Sequence, residues 1–81
     1  MENEFSTRSI GEAAYLYANG ALLLCAIDGR GFEHFTFDNK GGCARRLAEQ
    51  FYEDAPAPAR TLFIAQGTLR QEASKARQRQ R

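Results

Sequence analysis

The sequence predicts an α+β fold. A small sheet centred on a β-hairpin packs against three helices, and the N-terminal segment can add a third strand, giving the order (β)αββαα. Three observations carry this. Residues 21–39, ALLLCAIDGRGFEHFTFDN, hold two runs of aliphatic and aromatic residues around a turn, and such residues suit a pleated surface. Ser9-x-x-Glu12 is a capping box that opens a helix. Cys43, Leu47 and Phe51, beside Ala44, Ala48 and Tyr52, recur every four residues and make one apolar stripe.

Taken in order, Phe5 is the one large apolar residue of the leading segment. The first helix is expected over residues 10–19, where Ile10, Ala13, Ala14, Leu16, Tyr17 and Ala18 are too numerous for a solvated helix. Gly20 follows as the left-handed residue past the helix end. In the hairpin, Asp28-Gly29-Arg30-Gly31 is the turn, because glycine takes positive φ without steric cost. A two-residue loop, Gly29-Arg30, sets Ile27 opposite Phe32, Leu24 opposite Phe35 and Leu22 opposite Phe37. Leu22, Leu24, Phe35 and Phe37 then share a core face. The other face carries Leu23, Cys25, Ile27, Phe32, His34 and Thr36. It is apolar enough to predict a cover.

A second helix is expected over residues 43–53, stopped by Ala55-Pro56-Ala57-Pro58. Pro58 suits the first turn of a third helix. In that helix Leu62, Phe63 and Leu69 are the large apolar residues, and beyond Leu69 only Ala73 and Ala76 are apolar. The domain is therefore drawn at residues 1–69. Residues 70–81 are drawn as a basic, partly frayed C-terminal helical tail.

Four stretches resemble a family of small bacterial and phage proteins catalogued only as a domain of unknown function. They are Phe5-x-Thr7, Ile10-x-x-Ala13-Ala14-Tyr15-Leu16-x-x-x-Gly20, Phe35-Thr36-Phe37-Asp38 and Ala48-Glu49-Gln50-Phe51-Tyr52. The resemblance spans about residues 5–69 and implies a shared fold and a setting among mobile elements. It implies no catalytic signature. The chain departs from it at Ala21-Leu22, where polar residues are expected, and in its basic tail.

Composition narrows the function classes. At 81 residues the chain makes one small domain, with ordinary globular proportions of 26% charged and 43% apolar residues. No apolar run approaches the ~20 residues of a membrane span, and the polar first residues do not read as a signal peptide. Two cysteines are too few for a disulfide scaffold. A cytoplasmic protein with reduced thiols is expected. The net charge of +1 is unevenly spread: Arg70, Lys75, Arg77, Arg79 and Arg81 against Glu72 leave the tail positive and the body acidic.

Candidate chemistry is sparse. Lys40-Gly41-Gly42-Cys43, with Arg45 and Arg46, precedes a helix N-terminus and invites an anion, but the phosphate-loop spacing is absent. In the register above, the one histidine, His34, opposes Cys25, and two groups fall short of a metal set. No paired acid and base are visible, so no catalytic residue, metal or cofactor is assigned. The favoured reading is a non-enzymatic accessory protein that touches nucleic-acid phosphates through Arg70, Lys75, Arg77, Arg79, Arg81, Lys40, Arg45 and Arg46. The alternative is a protein-interaction module, a homodimer or an inhibitor of a larger complex. It would act through the apolar hairpin face, at Leu23, Ile27 and Phe32, or through a strand edge.

Overall fold

The computed structural model describes residues 3–53 and 58–79. Its elements are β1 (Glu4–Thr7), α1 (Ile10–Ala18), β2 (Leu23–Ile27), β3 (Glu33–Asp38), a 3₁₀ turn (Lys40–Gly42), α2 (Cys43–Tyr52) and α3 (Ala59–Arg79). The expected α+β order is present, and the leading segment is a strand. The sheet order is β1-β3-β2, antiparallel throughout. The Ala55-Pro56-Ala57 break and Arg81 lie outside the described residues.

Local chemistry explains each boundary. Ser9 Oγ accepts from the Glu12 amide at 3.2 Å and caps the start of α1. The reciprocal half of the expected capping box is replaced, because the Ser9 amide donates to Thr7 Oγ1 at 3.1 Å rather than to Glu12. Gly20, at φ +92°, ends it. The Gly20 amide donates to Tyr17 O and the Ala21 amide to Leu16 O. That pair is the two-bond closure for which a left-handed glycine is selected. The start of α2 is capped from a distance: Gly42 has no side chain to offer, and Asn39 Oδ1 accepts from the Arg45 amide at 3.0 Å.

The molecule is a slab of 38 × 34 × 16 Å, one layer of helices on one face of one sheet. Helix α1 packs between α2 and α3, with Ala13, Ala14, Tyr15 and Leu16 buried in succession. Phe35 and Phe37 point from the central strand into the helices and are fully buried. Leu47 and Phe51 are half-buried against them, whereas Cys43 and Tyr52, at the margins of the α2 stripe, are exposed. Beside Tyr52, the Glu12 carboxylate raises the phenol above its ordinary pKa.

The hairpin departs from the expected register. Its loop has three residues, not two. The Asp28 amide donates to Phe32 O at 2.9 Å, the Gly31 amide donates to Asp28 O, and Gly31 sits at φ +85°. This is the turn-plus-bulge loop that a glycine in its third position permits. Asp28 Oδ1 fixes it by accepting from the Arg30 and Phe32 amides. The pairing becomes Leu23 with Phe37, Cys25 with Thr36 and Ile27 with Glu33, with irregularities on both sides of Cys25. A one-residue slip exchanges faces. Leu22 and Leu24 are accordingly 63% and 48% exposed instead of core, while Ile27 is buried and Leu23 packs against the core. Two of the three expected interface residues, Leu23 and Ile27, are thus covered within the chain, and only Phe32 stays exposed. The outer sheet face is polar, holding Ser6, bonded to Thr36 at 3.0 Å, with Cys25 and His34.

The tail differs as well. Helix α3 continues to Arg79, and Ala73 is as fully buried as Leu69. Ala76 packs against the core, and Arg77 Nε donates to Gly31 O at 2.7 Å. The segment expected to leave the domain lies along β2.

A candidate interaction edge

The two edges of the sheet are β1 and β2. An open edge offers unpaired amides and carbonyls to another strand unless charge, proline or a cover blocks it. Strand β2 lacks the first two: Leu23-Leu24-Cys25-Ala26-Ile27, preceded by Ala21-Leu22, contains neither a charge nor a proline, while its ladder to β3 is irregular on both sides of Cys25. The irregularity between Leu23 and Cys25 leaves Leu24 outward, so Leu24 and Cys25 are exposed in succession.

Helix α3 forms the wall beside this edge. A shallow groove of about 140 Å³ runs between residues 23–26 of β2 and Glu72, Ala76 and Arg79 of α3. This stretch is smaller than the ~300–1,000 Å³ of typical small-molecule pockets and suits one or two side chains of an adjoining chain. Past Glu72 it continues into a more open hollow of about 380 Å³ at Leu22, Ala21 and Tyr17. Two opposite charges line it, Glu72 where the two stretches meet and Arg79 on the first alone. Glu72 stands near Leu22 and Leu23 and meets Lys75 at 3.6 Å, with both side chains solvent-accessible. Arg79 stands further along β2 and has no ion pair among the described residues.

The expected nucleic-acid residues are not gathered. Arg77 is turned onto the hairpin tip, bonded to Gly31 O and 3.9 Å from Glu33. Lys75 faces Glu72, and Arg70 is exposed on the flank of α3 next to the buried Leu69 and Ala73. Lys40, Arg45 and Arg46 follow the other end of β3, about 17 Å from the tip at the usual rise per strand residue. There the Arg45 guanidinium lies 5.6 Å from the Phe5 ring centroid and Arg46 contacts Cys43 Sγ. One of the amides an anion would use at the start of α2, that of Arg45, is taken by Asn39.

The thiols and the imidazole are also apart in the ladder. Cys25 opposes Thr36, not His34, and its thiol donates to Ile27 O at 3.1 Å. Among the described residues no three His, Cys, Asp or Glu side chains are placed to hold a metal. The one carboxylate among the described residues displaced far from its ordinary pKa is Asp28, at about 2, held down by the Arg8 guanidinium at 2.8 Å and by the loop amides. That is a structural ion pair at the turn. No helix among the described residues is long and apolar enough to cross a membrane.

Leu22, Leu24, Glu72 and Arg79 were missed as a group by reasoning from sequence. The signal was present in the seven uncharged residues 21–27, where a strand edge was expected but the two-residue-loop register placed Leu22 and Leu24 in the core. Comparison with known proteins finds no matching family model, no matching curated protein and no matching solved structure.

Proposed function

We propose that this chain is a non-enzymatic protein-interaction module that captures an extended segment by adding it as a strand to β2. The observation that carries the reading is the uncharged, proline-free edge with Leu22 and Leu24 exposed beside the α3 groove. In strand addition the backbone ladder supplies affinity and alternate side chains enter flanking recesses. Phe32, exposed beyond the hairpin loop, extends the apolar rim. The dispersed cations support backbone contact with nucleic acid less well, because a shared phosphate track needs them on one surface.

A linear-peptide library panned against the immobilised chain tests this. The expected selection is apolar, β-branched segments whose binding slows amide exchange across Leu23–Ile27. Selection of no peptide, or protection confined to the region of Lys40 and Arg45, overturns it. Retention of a labelled duplex at low salt, with protection mapped to α2 and α3, would establish the nucleic-acid reading in its place.

A further inference from the structure

The charge pattern of the groove identifies its occupant, given the strand-addition reading. Glu72 flanks the Leu22–Leu23 end of the edge, and Arg79 flanks the stretch toward Ala26. The helix runs alongside the strand in the same sense, since Arg77 reaches the loop that follows β2. A two-fold axis through an antiparallel β2–β2 pair centred on Leu24 sets Leu22 of one copy against Ala26 of the other. The same rotation brings Glu72 of one copy to Arg79 of the second, and the reverse. The edge is therefore self-complementary at Glu72 and Arg79, with Glu72 shared between Lys75 of its own helix and Arg79 of the second copy. Such matching of a patch to itself is the requirement for a two-fold interface. A two-fold that joined the strands in parallel would put the two α3 helices on opposite faces of the sheet and lose both contacts.

We propose that the β2 edge pairs with a second copy of this chain, making a continuous six-stranded antiparallel sheet with Leu24 on the axis and two Glu72–Arg79 contacts. Like charges placed opposite each other suppress wrong pairings, so the two pairs fix the antiparallel register while the backbone ladder and Leu22 and Leu24 supply the attraction. Cys25, next to the axis, comes close to its counterpart in the second copy.

Sedimentation equilibrium of the full chain, over a wide concentration range, tests this with four variants. Wild type is expected to dimerise and Leu24→Lys to sediment as a monomer. Glu72→Arg and Arg79→Glu should each weaken self-association by about tenfold or more, since each reversal turns two attractive contacts repulsive. An equimolar mixture of these two single variants should dimerise again, because every contact across the mixed pair is then opposite in sign. The double reversal Glu72→Arg/Arg79→Glu should dimerise alone. Circular dichroism establishes that each variant is folded, and Leu24→Asn serves should Leu24→Lys fail to fold. A wild-type chain that stays monomeric overturns the dimer. If it still binds selected peptides along Leu23–Ile27, the strand-addition reading stands, and if it binds none, both fall. A dimer that neither the mixture nor the double reversal restores overturns the antiparallel register.

Discussion

The two edges of one sheet are built to opposite specifications. Strand β1 is four residues long, opens with Glu4, and shows Ser6 to solvent. Its Phe5 lies under the Arg45 guanidinium. Strand β2 is uncharged along its whole length and shows Leu24. Both pair with the same central strand, so the difference is not one of support. Charged edges resist further pairing, and apolar ones invite it. One edge closes the sheet and the other leaves it ready to continue.

The largest expected effect abolishes the comparison. Phe37 pairs with Phe5 on one side and Leu23 on the other and is fully buried. Phe37→Ala should cost about 3–5 kcal/mol in urea unfolding and loosen both edges together. Truncation after Glu72 acts on one side only. It removes the buried Ala73, the half-buried Ala76 and the Arg77 bond to Gly31. It should cost about 2 kcal/mol, with amide exchange accelerating in β2 before β1. Gly67→Ala sharpens the contrast by stiffening the helix behind β2. A methyl there meets nothing within 4 Å, so thermal unfolding should report about 1 kcal/mol of added stability. Lysine placed at Leu24 or at Ser6 should change stability by no more than ~0.5 kcal/mol, and only the Leu24 variant should lose association.

The smallest effect is in pH. The folded pKa of Asp28 is depressed to about 2 from 3.8, so the contribution of its ion pair is present above the ordinary value. It is lost as pH falls from about 4 through about 2. In Arg8→Ala the Asp28 titration, followed by carboxyl NMR, should move back toward 3.8. An unmoved titration would assign the depression to the loop amides.

The fold was legible where one residue type has one use. Ser9 and Glu12 announced a helix start, Gly20 a helix end, and the α2 stripe a buried face centred on Ala44 and Ala48. The register was not legible because it turned on a single glycine. Gly29-Arg30 as a two-residue loop and Gly29-Arg30-Gly31 as a three-residue loop are both sound turns, and Asp28's own side-chain bonds favour the longer. That choice decided which leucines met solvent. The docking of α3 was hidden for a different reason. Alanines bury little area each, so the pattern after Leu69 looked weak. Small side chains also let backbones approach closely, and Ala65 and Ala73 sit buried on α3 while Ala13 and Ala14 are buried on α1, which it packs against. Of the candidate site, the basic residues were visible by count, but their dispersal over two ends of the sheet depended on the topology.

The hairpin tip binds the chain's remote parts into one cooperative unit. Arg8 donates to Asp28 and to Glu33 O, and Arg77 donates to Gly31 O. A segment just past β1 and one near the end of α3 therefore close on the same few residues. Such closures span 20 to 46 positions and form late, since loop-closure entropy opposes them until neighbouring structure is in place. Once formed, they tie the fraying of the last helical turn to the opening of the turn between β2 and β3. The terminal turns of a helix ordinarily exchange amide hydrogens near the low end of the protection scale. Here the last turns of α3 should share the opening free energy of the tip, and Arg77→Ala should release the two to exchange at separate rates.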